Sequence, residues 1–285
     1  MSDSKVKKDV KYFRNSRFEV VYTVSHTVEN AICNIFLVGG INEYTGVYEE
    51  FIDFLNKNKL NVFQFDHCGF GYSSGERGYV NKRADWLEDF EIGLNRVNEV
   101  VGLPTVIISH SFGASLNFNF LGKNIASLSK WNIVGSINSA SIFEIKAFKA
   151  LQYIAKIIDL INPRWTPKKS VNEFKSMQDD ERDASLLLDP LYYNGRLKAR
   201  LGLSLLELSK ENKKLYSKIN IPILLMHAKE DPITDSNSIH QIYDALNNNK
   251  NKSKKIYDKT NHHCLTDFSK VDSWNDCLDF VKSLI

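Results

Sequence analysis

The sequence predicts an α/β fold in which a mostly parallel central sheet is flanked by helices, with a helical cap inserted into a single domain. Short apolar runs that suit strands alternate with amphipathic segments that suit helices, and this alternation is typical of a parallel sheet covered on both faces. A chain of 285 residues, 43% of them hydrophobic, can bury one full core. The alternation is interrupted between residues 141 and 217 by roughly seventy helical-looking residues, where a simple crossover needs about a dozen.

The individual elements follow from the spacing of the apolar residues. Large side chains recur at every second position from Phe18 to Val24, which predicts an N-terminal antiparallel strand or hairpin at a sheet edge. Later apolar runs predict strands, and apolar side chains at helical spacing predict helices. The predicted strands lie at 32–38, 61–66, 105–108, 132–138, 221–227 and 255–257, and the predicted helices lie at 47–58, about 87–97 and about 271–281.

The interrupting segment is predicted to be a cap over the rest of the domain. We place the core at about 1–140 and 218–285 and the cap at about 141–217. The first part of the cap, residues 143–161, has an apolar face that includes Leu151 and Ile154, with lysines elsewhere on the helix. Such a basic amphipathic helix can contact a membrane or lipid surface, or it can simply pack on the core, and the sequence leaves both alternatives open.

Charge and cysteine content exclude several classes of function. The 37 basic and 34 acidic residues are spread along the chain, so no basic patch predicts a nucleic-acid partner. No secretory leader and no apolar run of about 18 residues is evident, and we expect a cytoplasmic protein that can associate peripherally with membranes. The four cysteines lack the paired spacing of a zinc site or of a disulfide framework, so free thiols are expected.

The strand predicted at 105–108 leads into a serine that suits a nucleophile. Ser111 lies between Ser109 and Gly113, and small residues two before and two after a serine permit the sharp strand-to-helix turn called a nucleophile elbow. The usual pattern has glycine at both places, so the match at Ser109 is a loosened one. The hypothesis that Ser111 is a nucleophile therefore depends on a base and an acid elsewhere in the sequence.

A base and an acid follow at suitable places. Asp231 lies in the turn after the strand at 221–227, and His262 lies in the loop between the last predicted strand and the closing helix. The order Ser111, Asp231, His262 is the nucleophile, acid and base order of α/β-hydrolases. We therefore predict that Ser111 attacks, His262 takes its proton and Asp231 orients His262, with His263 and Glu230 as the alternative base and acid.

The same residues also fit a metal site, an acyltransferase motif and a non-catalytic module. The run His262-His263-Cys264 invites a metal site, but adjacent loop residues rarely bind one ion, and we predict no metal and no cofactor. His262, His263 and Asp267 also match His-His-x-x-x-Asp, the core of an acyltransferase motif, but Phe268 stands where that motif continues with Gly, and we treat the match as a coincidence. Acyl transfer from the same serine stays open on chemical grounds. A non-catalytic ligand-binding module on the same fold is a further alternative.

Two segments resemble the monoacylglycerol lipases and lysophospholipases of the α/β-hydrolase superfamily, and the likeness extends over nearly the whole chain. Residues 36–50 resemble that family's His-Gly-x-Gly-Glu-His-x-x-Arg-Tyr segment, with Gly39, Asn42 and Tyr44 in place of His, Gly and the second His. Residues 66–78 closely resemble its Asp-x-x-Gly-x-Gly-x-Ser-x-Gly-x-Arg-Gly turn. In the cap, residues 188–191 resemble the family's sequence before a long amphipathic helix.

The resemblance implies an activity and further site residues. The oxyanion donors would be the backbone N–H groups of Ile41 and Phe112. The activity would be hydrolysis of the acyl ester of a monoacylglycerol or lysophospholipid through an acyl-enzyme intermediate. The partner would be a small lipid ester, with transient contact between the cap and a lipid aggregate. The departures at Gly39, Asn42 and Ser109 affect the loops nearest to the reacting atoms.

Overall fold

The computed structural model describes residues 6–145, 149–166, 186, 188–267 and 270–285. Within these residues the backbone forms one eight-stranded sheet. The strands are β1 Lys7–Arg14, β2 Val20–Thr27, β3 Cys33–Val38, β4 Leu60–Phe65, β5 Thr105–His110, β6 Ile133–Ser139, β7 Ile223–Ala228 and β8 Lys252–Tyr257.

The strand order is β1-β2-β4-β3-β5-β6-β7-β8. The N-terminal hairpin pairs β1 with β2, and β2 pairs with β4, both antiparallel. Every other neighbouring pair is parallel. The predicted α/β fold with a mostly parallel sheet is therefore confirmed, and the carboxyl ends of β3 to β8 lie at one edge, where sites in such sheets form.

Helices cover both faces of the sheet. They are α1 Glu49–Lys57, α2 Arg83–Leu94, α3 Phe112–Asn124, α4 Lys149–Ile161, α5 Ala199–Asn212, α6 Ser238–Ala245 and α7 Lys270–Lys282. One apolar cluster joins the sheet to α2, α3, α5 and α6, and a second joins it to α1 and α7. Within β3, alternate side chains enter the two clusters, as the period of two in a strand requires.

Helix α3 is buried along almost its entire length, from Phe112 to Gly122. It is apolar on most sides because it lies between the sheet and α5. Since α3 begins directly after Ser111, the position of the serine is fixed by one of the most deeply buried helices of the protein.

The connection between β6 and β7 contains α4 and α5. Helix α5 packs on α3 and contributes to the main core, whereas α4 packs on α5. Residues 146–148, 167–185 and 187 of the predicted cap lie outside the described residues, as does the side chain of Leu151. The division into core and cap stays a prediction. Among the described residues, no helix is both long and apolar enough to cross a membrane.

Candidate active site

The predicted nucleophile, base and acid meet at the carboxyl edge of the sheet. Ser111 follows β5, Asp231 follows β7 and His262 lies in the loop after β8. The Nε2 atom of His262 lies 2.9 Å from the Ser111 hydroxyl oxygen, and its Nδ1 atom lies 2.7 Å from Asp231 Oδ2. The geometry thus contains one continuous chain of hydrogen bonds from serine through histidine to carboxylate.

Ser111 has a backbone conformation that an L-residue rarely adopts. Its φ and ψ angles are 51° and −114°, as a sharp turn between β5 and α3 requires. A Cβ atom at Gly113 would lie only 2.4 Å from the Gly39 carbonyl oxygen. Glycine is therefore needed at position 113 because the start of α3 approaches the end of β3 so closely.

Ser109, which stands where the usual elbow has glycine, is accommodated by polar neighbours. Its buried hydroxyl group lies 2.9 Å from Asn138 Oδ1 and 3.2 Å from the Ile137 carbonyl oxygen on β6. Asn117 of α3 donates to the Ser109 hydroxyl group at 3.3 Å. Because the extra hydroxyl group is hydrogen-bonded, the larger residue does not leave an unsatisfied polar atom in the core.

Asp231 is held as an anion by a dense set of donors. Its Oδ1 accepts the backbone N–H groups of Ile233 and Thr234, and its Oδ2 accepts the Thr234 hydroxyl group at 2.6 Å. The Nε2 atom of His227 lies 3.1 Å from the same Oδ2 atom. Burial alone would raise the pKa of Asp231, but His262, His227 and Thr234 together lower it below its ordinary value. His227 and Thr234 were missed in the sequence, where they resemble an ordinary strand end and turn.

The two neighbouring histidines occupy different surroundings. Burial lowers the pKa of His262, and the Asp231 carboxylate partly opposes this effect. His263 turns away from Asp231 and places its Nδ1 atom 3.3 Å from Glu43 Oε1. The geometry therefore favours His262 over His263 as the base. Glu230, the alternative acid, is exposed, whereas the Asp231 carboxylate is fully buried.

The loop after β3 carries the first proposed oxyanion donor, Ile41. Glu43 Oε2 accepts the N–H group of Gly40 and the Tyr48 hydroxyl group, which fixes the loop from below. Asn42 has a φ of 73°, a left-handed conformation that asparagine tolerates better than most residues. This explains how Asn42 replaces the family's glycine. The second proposed donor is the N–H group of Phe112, the first residue of α3, where helical N–H groups lack intrahelical partners.

Glu43, His110 and His263 form a buried cluster beside the triad residues. Burial would raise the pKa of Glu43, but the two histidines and the Tyr48 hydroxyl group lower it. Burial lowers the pKa of His110 to about 3, despite the opposing charge of Glu43. His110 is thus neutral and Glu43 ionised near neutral pH.

The glycine-rich turn at residues 66–78 supports this edge of the site. Asp66 accepts the backbone N–H groups of Thr45 and Tyr72 at 2.7 and 2.8 Å. Arg77 donates to the carbonyl oxygens of Gly71 and Leu191. Hydrogen bonds of Asp66 and Arg77 therefore hold this turn in place, and the bond from Arg77 to Leu191 reaches the segment before α5.

A small cavity lies above the serine. Its volume is about 40 Å³. It is lined by Gly40, Ile41, Asn42, Glu43, His110, Ser111, Tyr192, Tyr193, Ile233, His262 and His263. This volume is far below the roughly 300 to 1,000 Å³ of typical ligand pockets.

Residues 188–193, here called the roof segment, close the cavity from above. The N–H group of Tyr193 donates to the Asn42 carbonyl oxygen at 3.1 Å. The Tyr44 hydroxyl group donates to Asp189 at 2.5 Å, so the tyrosine that replaces the family's second histidine binds the roof. With the bond from Arg77, three hydrogen bonds join the roof segment to the loops around the site.

Helix α4 exposes an apolar stripe to solvent. The exposed apolar residues on and just after this helix are Tyr153, Ile154, Ile157, Leu160, Ile161 and Trp165, and Leu160 is 85% exposed. The polar side of α4 faces the protein, since Asp159 pairs with Arg200 of α5. Ile158, which the sequence places on the same side as Ile154, is only half-exposed. Contiguous exposed apolar residues of this kind mark contact surfaces.

Comparisons with known proteins agree with this architecture. Residues 30–269 match the family described as "Serine aminopeptidase, S33". The human monoglyceride lipase is 26% identical over 229 residues, which make up 80% of this chain and 74% of that protein. An uncharacterised abhydrolase domain-containing protein of Dictyostelium discoideum is 25% identical over 260 residues, or 89% of this chain, which spans only 27% of that protein's length.

Solved structures show the same fold. A soluble variant of monoglyceride lipase from Saccharomyces cerevisiae, in complex with a substrate analog, superimposes with a TM-score of 0.82. The two sequences are 21% identical, and the match covers 99% of this chain and 97% of the other. At this identity the structural match establishes the shared α/β-hydrolase fold.

Proposed function

The chain belongs to the serine aminopeptidase S33 family, and on that premise we propose that it hydrolyses the acyl ester of a single-chain lipid such as a monoacylglycerol or a lysophospholipid. It is a monoacylglycerol lipase-like α/β-hydrolase, a class of serine ester hydrolases. The observation that carries the proposal is the chain of hydrogen bonds from Ser111 through His262 to Asp231 on the wall of a cavity.

In the proposed first step, the Ser111 oxygen attacks the ester carbonyl carbon while His262 Nε2 takes the hydroxyl proton. The distance of 2.9 Å already suits this transfer. Asp231, kept ionised by its donors, stabilises the imidazolium and holds the tautomer with the proton on Nδ1. The N–H groups of Ile41 and Phe112 would stabilise the negative charge on the carbonyl oxygen.

The intermediate then collapses and the bond to the leaving alcohol breaks. His262 donates its proton to the departing glycerol-type oxygen, and the acyl group stays on Ser111 as an ester. In the second half a water molecule loses a proton to His262 and attacks the acyl carbon. The bond from this carbon to the Ser111 oxygen then breaks, His262 returns the proton to that oxygen, and the fatty acid leaves. If another alcohol takes the place of water, the same steps transfer the acyl group, which is the acyltransferase alternative.

The exposed stripe on α4 favours a lipid ester over the peptide that an aminopeptidase would cleave. A helix with apolar residues facing solvent gains stability when that face enters a lipid aggregate, at about 25 cal/mol for each Å² removed from water. Ile154, Ile157 and Leu160 lie on this surface. A soluble peptide would leave them exposed to water.

The small volume of the cavity supports the proposal that the roof segment moves when substrate binds. An acyl chain cannot enter a volume of about 40 Å³, so binding requires the roof segment to shift. Tyr192 and Tyr193 are the roof residues that line the cavity. We propose that contact of α4 with a lipid aggregate favours the open arrangement, as in other lid-gated enzymes.

The test compares variants in hydrolysis of p-nitrophenyl butyrate and in labelling by a fluorophosphonate probe. Ser111→Ala should abolish labelling, and Ser111→Ala and His262→Ala should each lower kcat by roughly 10³-fold or more, because nucleophile and base act as one unit. The double variant should be little worse than either single one.

His263→Ala is the matched control, since this ring belongs to the neighbouring cluster. It should keep more activity than His262→Ala. Turnover near that of the wild type in folded Ser111→Ala would refute the assignment, and a wild type that shows neither probe labelling nor ester turnover would favour the non-catalytic alternative.

A further inference from the structure

Three side chains that could bind a metal ion converge on the wall of the cavity. They are Glu43 from the loop after β3, His110 at the end of β5 and His263 after β8. One ligand atom from each lies within 4.8 Å of the other two. All three side chains are at most 8% exposed, so this group is no solvated surface cluster.

The distances suit an ion shared by the three residues. Glu43 Oε1 lies 3.3 Å from His263 Nδ1 and 3.9 Å from His110 Nε2. A tetrahedral zinc ion with bonds of about 2.0 to 2.2 Å separates its ligand atoms by roughly 3.4 Å. The pair of Glu43 and His263 already has this separation, and side-chain rotations would have to draw His110, whose ligand atom lies within 4.8 Å of the others, closer to the ion.

His110 supplies an independent observation. The side chain is only 2% exposed, and neither ring nitrogen has a hydrogen-bond partner among the described residues. Buried imidazole nitrogens are normally hydrogen-bonded, since leaving a buried polar atom unsatisfied destabilises the folded protein. The distance of 3.9 Å to Glu43 is too long for a hydrogen bond, but it leaves room for an ion between the two atoms.

Glu43 is already oriented for this role. Its Oε2 atom accepts the Gly40 N–H group and the Tyr48 hydroxyl group, so the carboxylate cannot turn freely. The other oxygen, Oε1, therefore points towards the two histidines. Such outer hydrogen bonds fix the ligands in known metal sites.

We propose that Glu43, His110 and His263 bind one divalent transition-metal ion, for which zinc is the best match, and that the bound ion inhibits the enzyme. Two imidazoles and one carboxylate are a zinc ligand set that leaves a fourth position open. The three ligands line the same cavity as Ser111, so a bound ion would lie at the wall of the volume that the reacting ester must enter. The ion and its water would fill this volume and exclude the ester.

Binding is tested on protein first stripped of metal with a chelator. Titration with Co²⁺ should give the visible absorption of a four-coordinate ion at one equivalent, and Zn²⁺ should displace it. Glu43→Gln and His110→Gln should weaken binding by about 100-fold or more. Ser111→Ala and His240→Gln, which alter no proposed ligand, should bind as the wild type does.

Inhibition is tested in the same preparations. Zn²⁺ should inhibit hydrolysis of p-nitrophenyl butyrate by the wild type at the concentrations at which it binds, and chelator should restore the rate. His263→Gln, whatever its own rate, should resist zinc. Far-UV circular dichroism identifies any variant that fails to fold. The ligand variants that do fold then decide whether the three residues bind the inhibitory ion.

The binding half of the proposal does not depend on the proposed function, whereas the inhibitory half does. Zinc binding by an inactive wild type would retain the site and overturn the lipase. No stoichiometric Co²⁺ spectrum, or binding unchanged in folded Glu43→Gln and His110→Gln, would overturn the site. Binding without inhibition would overturn the inhibitory half alone.

Discussion

Replacing the buried His67 with leucine should make the protein more tolerant of acid. His67 is 3% exposed, and its ring nitrogens have no hydrogen-bond partner in the described part of the chain. The ring packs edge-on against Phe65 and Phe112, with centroids 4.6 and 5.1 Å apart. Burial lowers the pKa of His67 to about 3 in the folded protein.

The magnitude follows from the difference between the folded and unfolded states. In the unfolded chain a histidine has a pKa of about 6.5. Between pH 6.5 and about pH 3 the unfolded state therefore binds a proton that the folded state does not bind. Folding stability due to this group is therefore complete above pH 6.5 and falls as the pH decreases. The loss amounts to about 2 kcal/mol at pH 5.

The assay is urea denaturation between pH 8 and pH 5. The free energy of unfolding should fall by about 2 kcal/mol more in the wild type than in His67→Leu over this range. Phe65→Leu, which changes packing around the same ring without removing a titrating group, should shift the whole curve and keep the wild-type slope. Equal slopes for His67→Leu and the wild type would refute the reasoning, because the ring would then be solvated or bonded in the folded state.

Two further predictions concern activity. Gly113→Ala should lower kcat/KM on p-nitrophenyl butyrate by about 100-fold. The new Cβ atom would lie 2.4 Å from the Gly39 carbonyl oxygen and would displace the proposed oxyanion loop. An unchanged rate would mean that the turn at Ser111 can relax. The double change Ile154→Ser and Ile157→Ser should reduce hydrolysis of dispersed long-chain monoacylglycerol several-fold and leave butyrate hydrolysis intact, because both side chains lie on the exposed stripe. Val101→Ser, at another exposed apolar residue, is the matched control, and equal losses on both substrates would show that the stripe serves the fold.

The parallel strands could be predicted because their side chains are buried on both faces, which leaves continuous apolar runs. The edge strand β1, Lys7–Arg14, was missed because it is mostly exposed and carries charged residues that hide any alternation. Likewise β8 begins at Lys252, before the apolar run that predicted a strand only from Lys255. The spacing of apolar residues therefore did not give the bounds of the two edge strands.

Some residues of the site could be predicted from the sequence and others could not. Ser111, Asp231 and His262 could be proposed because each lies in the turn or loop that follows a predicted strand, and parallel strands bring their carboxyl ends together. Glu43 and His110 gave no such signal, since only the folded loops bring them to His263. For α4 the periodicity indicated an apolar face but not its direction, because exposure depends on how the helix packs on α5.

The hydrogen bond from the Tyr193 N–H group to the Asn42 carbonyl oxygen links the entry of substrate to the position of the proposed oxyanion donor. Asn42 follows Ile41 directly, so the roof segment and the proposed oxyanion donor share one short stretch of backbone. Any lift of the roof must stretch this link and loosen the donor loop. Because coupling between two sites is reciprocal, a ligand that mimics the tetrahedral intermediate should in turn hold the roof shut. The donor loop would then be loosened while substrate enters, and it would be ordered again only as far as the bound acyl chain lets the roof segment return.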